Sequence, residues 1–203
     1  MKVIKKIVIN NEKDYHRFIK KLIFYKSLRY KHTFFELVDN QNNKEELYDI
    51  IKILNIKNRK QRIIHIYDKA CALIDEKVKG KNICGFKNSK CYIQRKAQDN
   101  KCNGCCRKCI YQNEKGCPTK NFACKMFNCS EVTKRYDVTK YDDLKLLKLL
   151  SLKNQFIIKI DYFSKREDVL KDLYTYTLFY AALRIFCRII KMILYNTTKN
   201  TNK

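Results

Sequence analysis

The sequence predicts a mainly α-helical protein whose two helical halves flank one small, irregular, cysteine-rich unit. Two observations carry that prediction. Apolar residues recur at intervals of three and four on both sides of the stretch 80–129, the spacing that lines one face of a helix. Inside that stretch the periodicity stops: nine of the eleven cysteines, all four glycines and the only proline fall within these fifty residues. Residues that permit tight turns are thus confined to where the thiols are. The expected organisation is an N-terminal helical region over 1–79, a cysteine-rich metal-binding unit over 80–129, a C-terminal helical region over 130–195 and a disordered tail over 196–203.

The first helix is expected after Asn11, which with Asp14 three residues on has the form of a cap. Tyr15, Phe18, Ile19, Leu22, Ile23 and Tyr25 follow at helical spacing. A second helix is expected over 44–54, with Leu47, Ile50, Ile51 and Leu54 on one face. The third and longest is expected over 59–79, where Ile63, Ile66, Tyr67, Ala70, Cys71, Ile74 and Val78 form a continuous stripe. Gly80 stands where that helix would end. His16, His32 and His65 lie in this half, away from any cysteine pair, and read as surface or partly packed imidazoles.

Beyond the cysteines, residues 142–152 include Leu144, Leu146, Leu147, Leu149 and Leu150, an apolar density that predicts a helix buried on most sides. Ser164-Lys-Arg-Glu167 has the capping-box form, so a long last helix is expected from there to about Tyr195. Its uncharged run, 173–183, falls well short of the roughly 20 residues that cross a bilayer. No transmembrane segment is expected. Arg184, Arg188 and Lys191 share one face, opposite Ile185, Phe186, Ile189, Ile190, Ile193 and Leu194, the pattern of a helix packed on a core rather than on a membrane surface. Cys187 in this helix and Cys71 in the third, each alone among apolar neighbours, read as small buried hydrophobes.

Lys and Arg number 45 against 20 acidic residues, a formal charge of +25. Such a balance points to nucleic acid or an anionic surface. The charge is spread along the chain, however: residues 1–79 have 19 basic and 10 acidic side chains, 80–129 have 11 and 2, and 130–203 have 15 and 8. Abundant Lys, Asn, Ile and Tyr with scarce Ala, Gly and Pro is also what A/T-rich codons produce without any partner. Met1 to Asn10 is broken by Lys5 and Lys6 and lacks the apolar core of a signal peptide. The expected location is therefore the cytoplasm, where thiols stay reduced and an odd, dense set of cysteines indicates metal rather than disulfides.

The cysteine spacing runs Cys84 x6 Cys91 x10 Cys102 x2 Cys105, then Cys106 x2 Cys109 x7 Cys117 x6 Cys124 x4 Cys129. Two back-to-back CxxC units matter most, because two intervening residues let a tight turn aim both sulfurs at one ion about 2.3 Å away. Adjacent Cys105 and Cys106 cannot easily face the same tetrahedral ion, so they belong to different ions or to one polynuclear centre. All nine are candidate ligands, enough for two zinc ions with four thiolates each. Soft all-sulfur ligation suits an iron–sulfur cluster as well, and spacing does not separate the two. Cys102, Cys106 and Cys109 also satisfy CxxxCxxC, the spacing that resembles radical S-adenosylmethionine enzymes. Lys108 stands where those enzymes have an aromatic residue, and no alternation of strands and helices exists to build their barrel.

Cys102-Asn-Gly-Cys105-Cys106, followed by Cys109-Ile-Tyr111, Cys117-Pro118 and Cys124-Lys-Met-Phe127, resembles the cysteine-cluster proteins of the YkgJ type and cysteine-rich proteins of clostridial bacteria. The resemblance implies zinc or iron chelation over about a quarter of the chain. The functional expectation is a metal-binding protein, used as a structural or metal-handling module and not as an enzyme. The alternative is a zinc-dependent nucleic-acid-binding protein, with Lys87, Arg95, Lys96, Arg107 and Lys108 among the aromatic rings of the unit as the contacting cations.

Overall fold

The computed structural model describes residues 3–28, 33–39, 45–88, 90–96 and 121–201. These are mainly helical, as expected, with one small sheet that the periodicity does not announce. The chain divides into two compact units, Met1–Ala70 with Asp142–Gln155 and Cys71–Tyr141 with Phe156–Lys203. The boundary falls inside two helices, between Ala70 and Cys71 and between Gln155 and Phe156.

In the first unit, strand β1 (Val3–Ile9) pairs in parallel with strand β2 (Thr33–Asp39), in a register that sets Val3 beside Thr33 and Ile9 beside Asp39. Parallel strands need a crossover, and helices α1 (Glu12–Lys20) and α2 (Leu22–Leu28) supply it. The expectation of helix alone in this half is corrected here. Five of the seven residues of β1 are Val or Ile, and Ile7 and Ile9 are buried while Lys6 and Val8 are exposed, the alternation of a half-buried strand. Asn11 does cap α1: its side chain accepts from Asp14 N–H at 3.0 Å, while the Asp14 carboxylate accepts from Asn10 N–H at 3.2 Å. The expected single helix breaks at Lys21, whose N–H turns back to the carbonyls of Arg17 and Phe18.

Helices α3 (Glu45–Asn55) and α4 (Arg59–Lys77) follow close to their expected bounds, with Leu47, Ile50, Ile51 and Leu54 buried. The end of α3 completes the sheet. Asn55 lies against Phe35 of β2, accepting its N–H and donating to its C=O at 2.9 Å each, as a third strand would. Arg62 is buried and donates to the carbonyls of Ile56 and Lys57 in the linking turn.

The leucine-rich segment is buried as expected but is not an α-helix. It forms two 3₁₀ turns, Tyr141–Asp143 and Lys145–Leu149, followed by helix α8 (Leu152–Ile160). Its short turns leave backbone groups that distant side chains satisfy. Lys26 donates to Leu150 C=O at 2.6 Å, and the Glu46 carboxylate accepts from the N–H groups of Lys145 and Leu146. Burial lifts the Glu46 carboxyl above its ordinary value. Burial, the charges of Glu46 and Glu12, and the hydrogen bond to Glu46 push the Tyr15 phenol up to about 12.

Replacing Asn55 by Ala should remove both bonds to Phe35 and leave a strand edge unpaired, destabilising the first unit by about 1–3 kcal/mol. Urea unfolding of Asn55→Ala beside the unmodified protein measures this; an unchanged midpoint would mean that the edge needs no partner.

Candidate metal centre

Four of the nine candidate ligands, Cys84, Cys91, Cys124 and Cys129, are described, and all belong to the second unit. Cys102, Cys105, Cys106, Cys109 and Cys117 lie outside the described residues, as do Arg107, Lys108 and His32.

Helix α4 ends in a turn at Val78–Gly80, and Gly80 takes φ +72°, the left-handed conformation expected of a residue that closes a helix. The chain then forms one braced loop. The Asn82 side chain accepts from Phe86 N–H at 2.8 Å and donates to Phe86 C=O at 2.9 Å. Lys87 and Lys90 exchange backbone bonds across a tight turn in which Asn88 has φ 50°. Tyr92 N–H, at the start of the short helix α5 (Tyr92–Lys96), then donates to Cys84 C=O at 2.9 Å, so the chain returns beside Cys84 just after Cys91. Gly85 is required at the neck: its φ is +55°, and a Cβ there would sit 3.3 Å from the Tyr92 Cβ. Cys91 is buried and Cys84 partly so.

The other two thiols flank a short helix. In α6 (Phe122–Met126), Cys124 lies in the first turn; Cys129 immediately precedes α7 (Ser130–Arg135). Asn121 fixes the first of these. Its Oδ1 accepts from Cys124 N–H at 2.8 Å, and its Nδ2 donates at 2.9 Å to the carbonyls of Asp161 and Ser164. Lys125 pairs with Asp75 of α4, and Phe122 is buried edge-on to Tyr141. Burial lifts the Tyr162 phenol, and the Cys124 sulfur as an anion acts in the same direction.

What anchors Asn121 is a buried ionic cluster that sequence reasoning missed. Asp161, Ser164 and Asp172 are fully buried. Ser164 donates to the Asp161 carboxylate, and Arg188 donates to Asp161 at 3.0 Å and to Asp172. Arg184 reaches Asp172 as well, at 2.5 Å. Two expectations change for this reason. Ser164 serves the cluster and does not cap the next helix, whose N-cap is Lys165. The single last helix is in fact two, α9 (Arg166–Tyr174) and α10 (Leu178–Thr201). In one straight helix Asp172 would stand about 18 and 24 Å from positions 184 and 188, so the ion pairs require the chain to fold back. Thr175 closes α9, its N–H and hydroxyl both donating to Lys171 C=O. The visible clue was Asp161 set between Ile160 and Tyr162; Asp172, between Lys171 and Leu173, gave less sign of burial.

Cys71 is partly buried, in line with a packed thiol, but Cys187 is exposed, contrary to expectation. Among the described residues no three His, Cys, Asp or Glu side chains gather as a metal-binding group. Of the cations proposed for nucleic acid, Lys87 is exposed, whereas Arg95 turns Nη1 onto the loop carbonyls of Gly85 and Lys90. His16 stands 3.5 Å from Glu12 on the surface of α1, and His65 is partly buried in α4. No helix among the described residues is long and apolar enough to cross a membrane. No family model, curated protein or solved structure matches the chain.

Burial pushes the Asp161 carboxyl from 3.8 to about 6, the charge of Asp172 adding to the rise while Ser164 and Arg188 oppose it. Between pH 4 and 6 the folded protein then binds more protons than the unfolded chain, so this group lowers stability as pH rises through about 6. Asp161→Asn should abolish that slope, so its stability relative to the unmodified protein should increase from pH 5 to pH 7.5 in urea titrations; a constant difference would refute the assignment. Asn121→Ala should destabilise by about 2–4 kcal/mol, beyond the roughly 1 kcal/mol of an ordinary cap, because two buried carbonyls lose their donor too. The same titration checks it.

Proposed function

We propose that the cysteine-rich segment binds metal through sulfur alone and that the protein serves as a structural or metal-handling module. The observation supporting this most directly is the closure of the Cys84–Cys91 loop. Its backbone bonds, the left-handed Gly85 and the Arg95 brace return the chain to Cys84 at Cys91. Such a loop lowers the entropy lost when two thiolates take one ion. Cys84 and Cys91 are therefore assigned to the same ion, with Cys124 and Cys129 among the ligands of the centre. The donor chemistry agrees with that role: soft sulfur ligands, no described histidine near them in sequence, and lysines in the surrounding sequence that offset the charge of a metal–thiolate group. Zinc is the ion we assign, and an iron–sulfur cluster is the alternative that the same ligands would support. The resemblance to YkgJ-type cysteine-cluster proteins points the same way.

Protein purified without oxygen should contain about two metal ions per chain by elemental analysis. A colourless preparation with zinc supports the first assignment, and absorption at the blue end of the visible spectrum with iron supports the second. Cys84→Ser combined with Cys91→Ser should reduce the content by about one ion. Absence of metal, with the thiols paired as disulfides in the cell, would overturn the proposal.

A further inference from the structure

The last helix presents two different faces. Ala181, Ile185 and Met192 are buried within the second unit, and Arg188 beside them joins the buried carboxylates. On the other side Phe179, Leu183, Phe186, Ile190 and Ile193 are exposed, at 70, 48, 59, 38 and 57 %. Sequence periodicity assigned most of these to the core, so their exposure is the largest departure in this unit. Lone exposed apolar residues need no explanation, but five in a line do.

Their spacing is four, three, four, three, the alternation with which one helix packs along another. Phe186 lies midway between the outer two: Phe179 precedes it by seven residues and Ile193 follows it by seven. An antiparallel copy would therefore lay Phe179 against Ile193, with Phe186 near the two-fold axis and Leu183 and Ile190 interleaved between them. The positions flanking the seam are uncharged too, namely Tyr180, Ala182, Cys187 and Ile189. Arg184 and Arg188 point to Asp172 and Asp161, leaving no cation within the seam to repel its twin. With Tyr180, the exposed apolar surface comes to about 600 Å² per chain, or about 1,200 Å² across two copies, at the lower bound of stable interfaces.

We propose that this face of α10 is a homodimer interface, closed by an antiparallel α10 of a second copy about a two-fold axis at Phe186. Cys187, exposed and one residue from that axis, then stands close to its counterpart.

The test is sedimentation equilibrium of the full chain, kept reduced, at tens of micromolar. A mass of about twice 24.5 kDa is expected. Phe186→Asp should weaken the dimer at least tenfold, while Tyr176→Asp, at a still more exposed ring outside the seam, should not. Mild copper–phenanthroline oxidation of the otherwise unmodified chain should yield a covalent dimer that Cys187→Ser does not form, a readout that needs no change to the seam. A monomer under these conditions, a dimer indifferent to Phe186→Asp, or a monomer that adsorbs to anionic vesicles through α10 would each overturn the proposal.

Discussion

Asp161 and Asp172 are carboxylates with no access to water, and the fold of the second unit follows from the need to meet their charge. A buried carboxylate without a counter-ion costs several kcal/mol. Arg188 bridges the two, Arg184 reaches the second, and Ser164 donates to the first. To bring those arginines within reach, the chain must stop being helical at Thr175 and return. The cluster also shapes the turn from Asp161 to Ser164, whose two carbonyls hold Asn121. Through Asn121 it sets the start of α6 and the position of Cys124. A cation on the last helix thereby governs where a thiol sits more than sixty residues earlier in the chain.

The first unit solves a different problem. Two strands alone are marginal in water, and a parallel pair has no hairpin to hold it. Stability comes from outside the sheet: Ile7 and Ile9 enter the core, Asn55 stands in for a neighbouring strand, and the leucine turns cover the apolar faces of the helices. Tyr15, Glu46 and the N–H groups of Lys145 and Leu146 make a continuous polar link through that apolar interior. The Glu46 carboxylate joins the Tyr15 phenol to the two N–H groups, pairing of the kind under which buried polar groups are tolerated. Glu46 Oε1 itself has no hydrogen-bond partner among the described residues.

The parts of the fold that were legible in the sequence are those decided by local pattern. Helical stripes gave α3 and α4 nearly to the residue, Gly80 ended α4 as its freedom from a Cβ allows, and Asn11 capped α1. The parts that were not legible depend on partners far along the chain. Lys5 and Lys6 hid β1, because a strand with one wet face admits lysine where a helical stripe does not. Ser164 looked like a cap but bonds Asp161 instead, and the break at Thr175 serves ion pairs invisible to periodicity. The leucines of 144–150 declared their burial but not their backbone, since apolar density says nothing about which turn supplies it. The cysteine spacing showed where the thiols cluster; the brace that closes Cys84 on Cys91 rests on Asn82, Arg95 and a backbone bond, none of which spacing records.

The interleaving of the two units has a consequence for synthesis. The first unit lacks its leucine turns until residue 155 has been made, and the second lacks Asp161, Asp172 and Arg188 until α10 has been made. Every cysteine from 84 to 129 is thus translated before either unit possesses all its segments. During that interval Asn121 lacks the carbonyls of Asp161 and Ser164 that anchor it, so the order in which the ribosome delivers the chain decides when the segment holding Cys124 takes its final place.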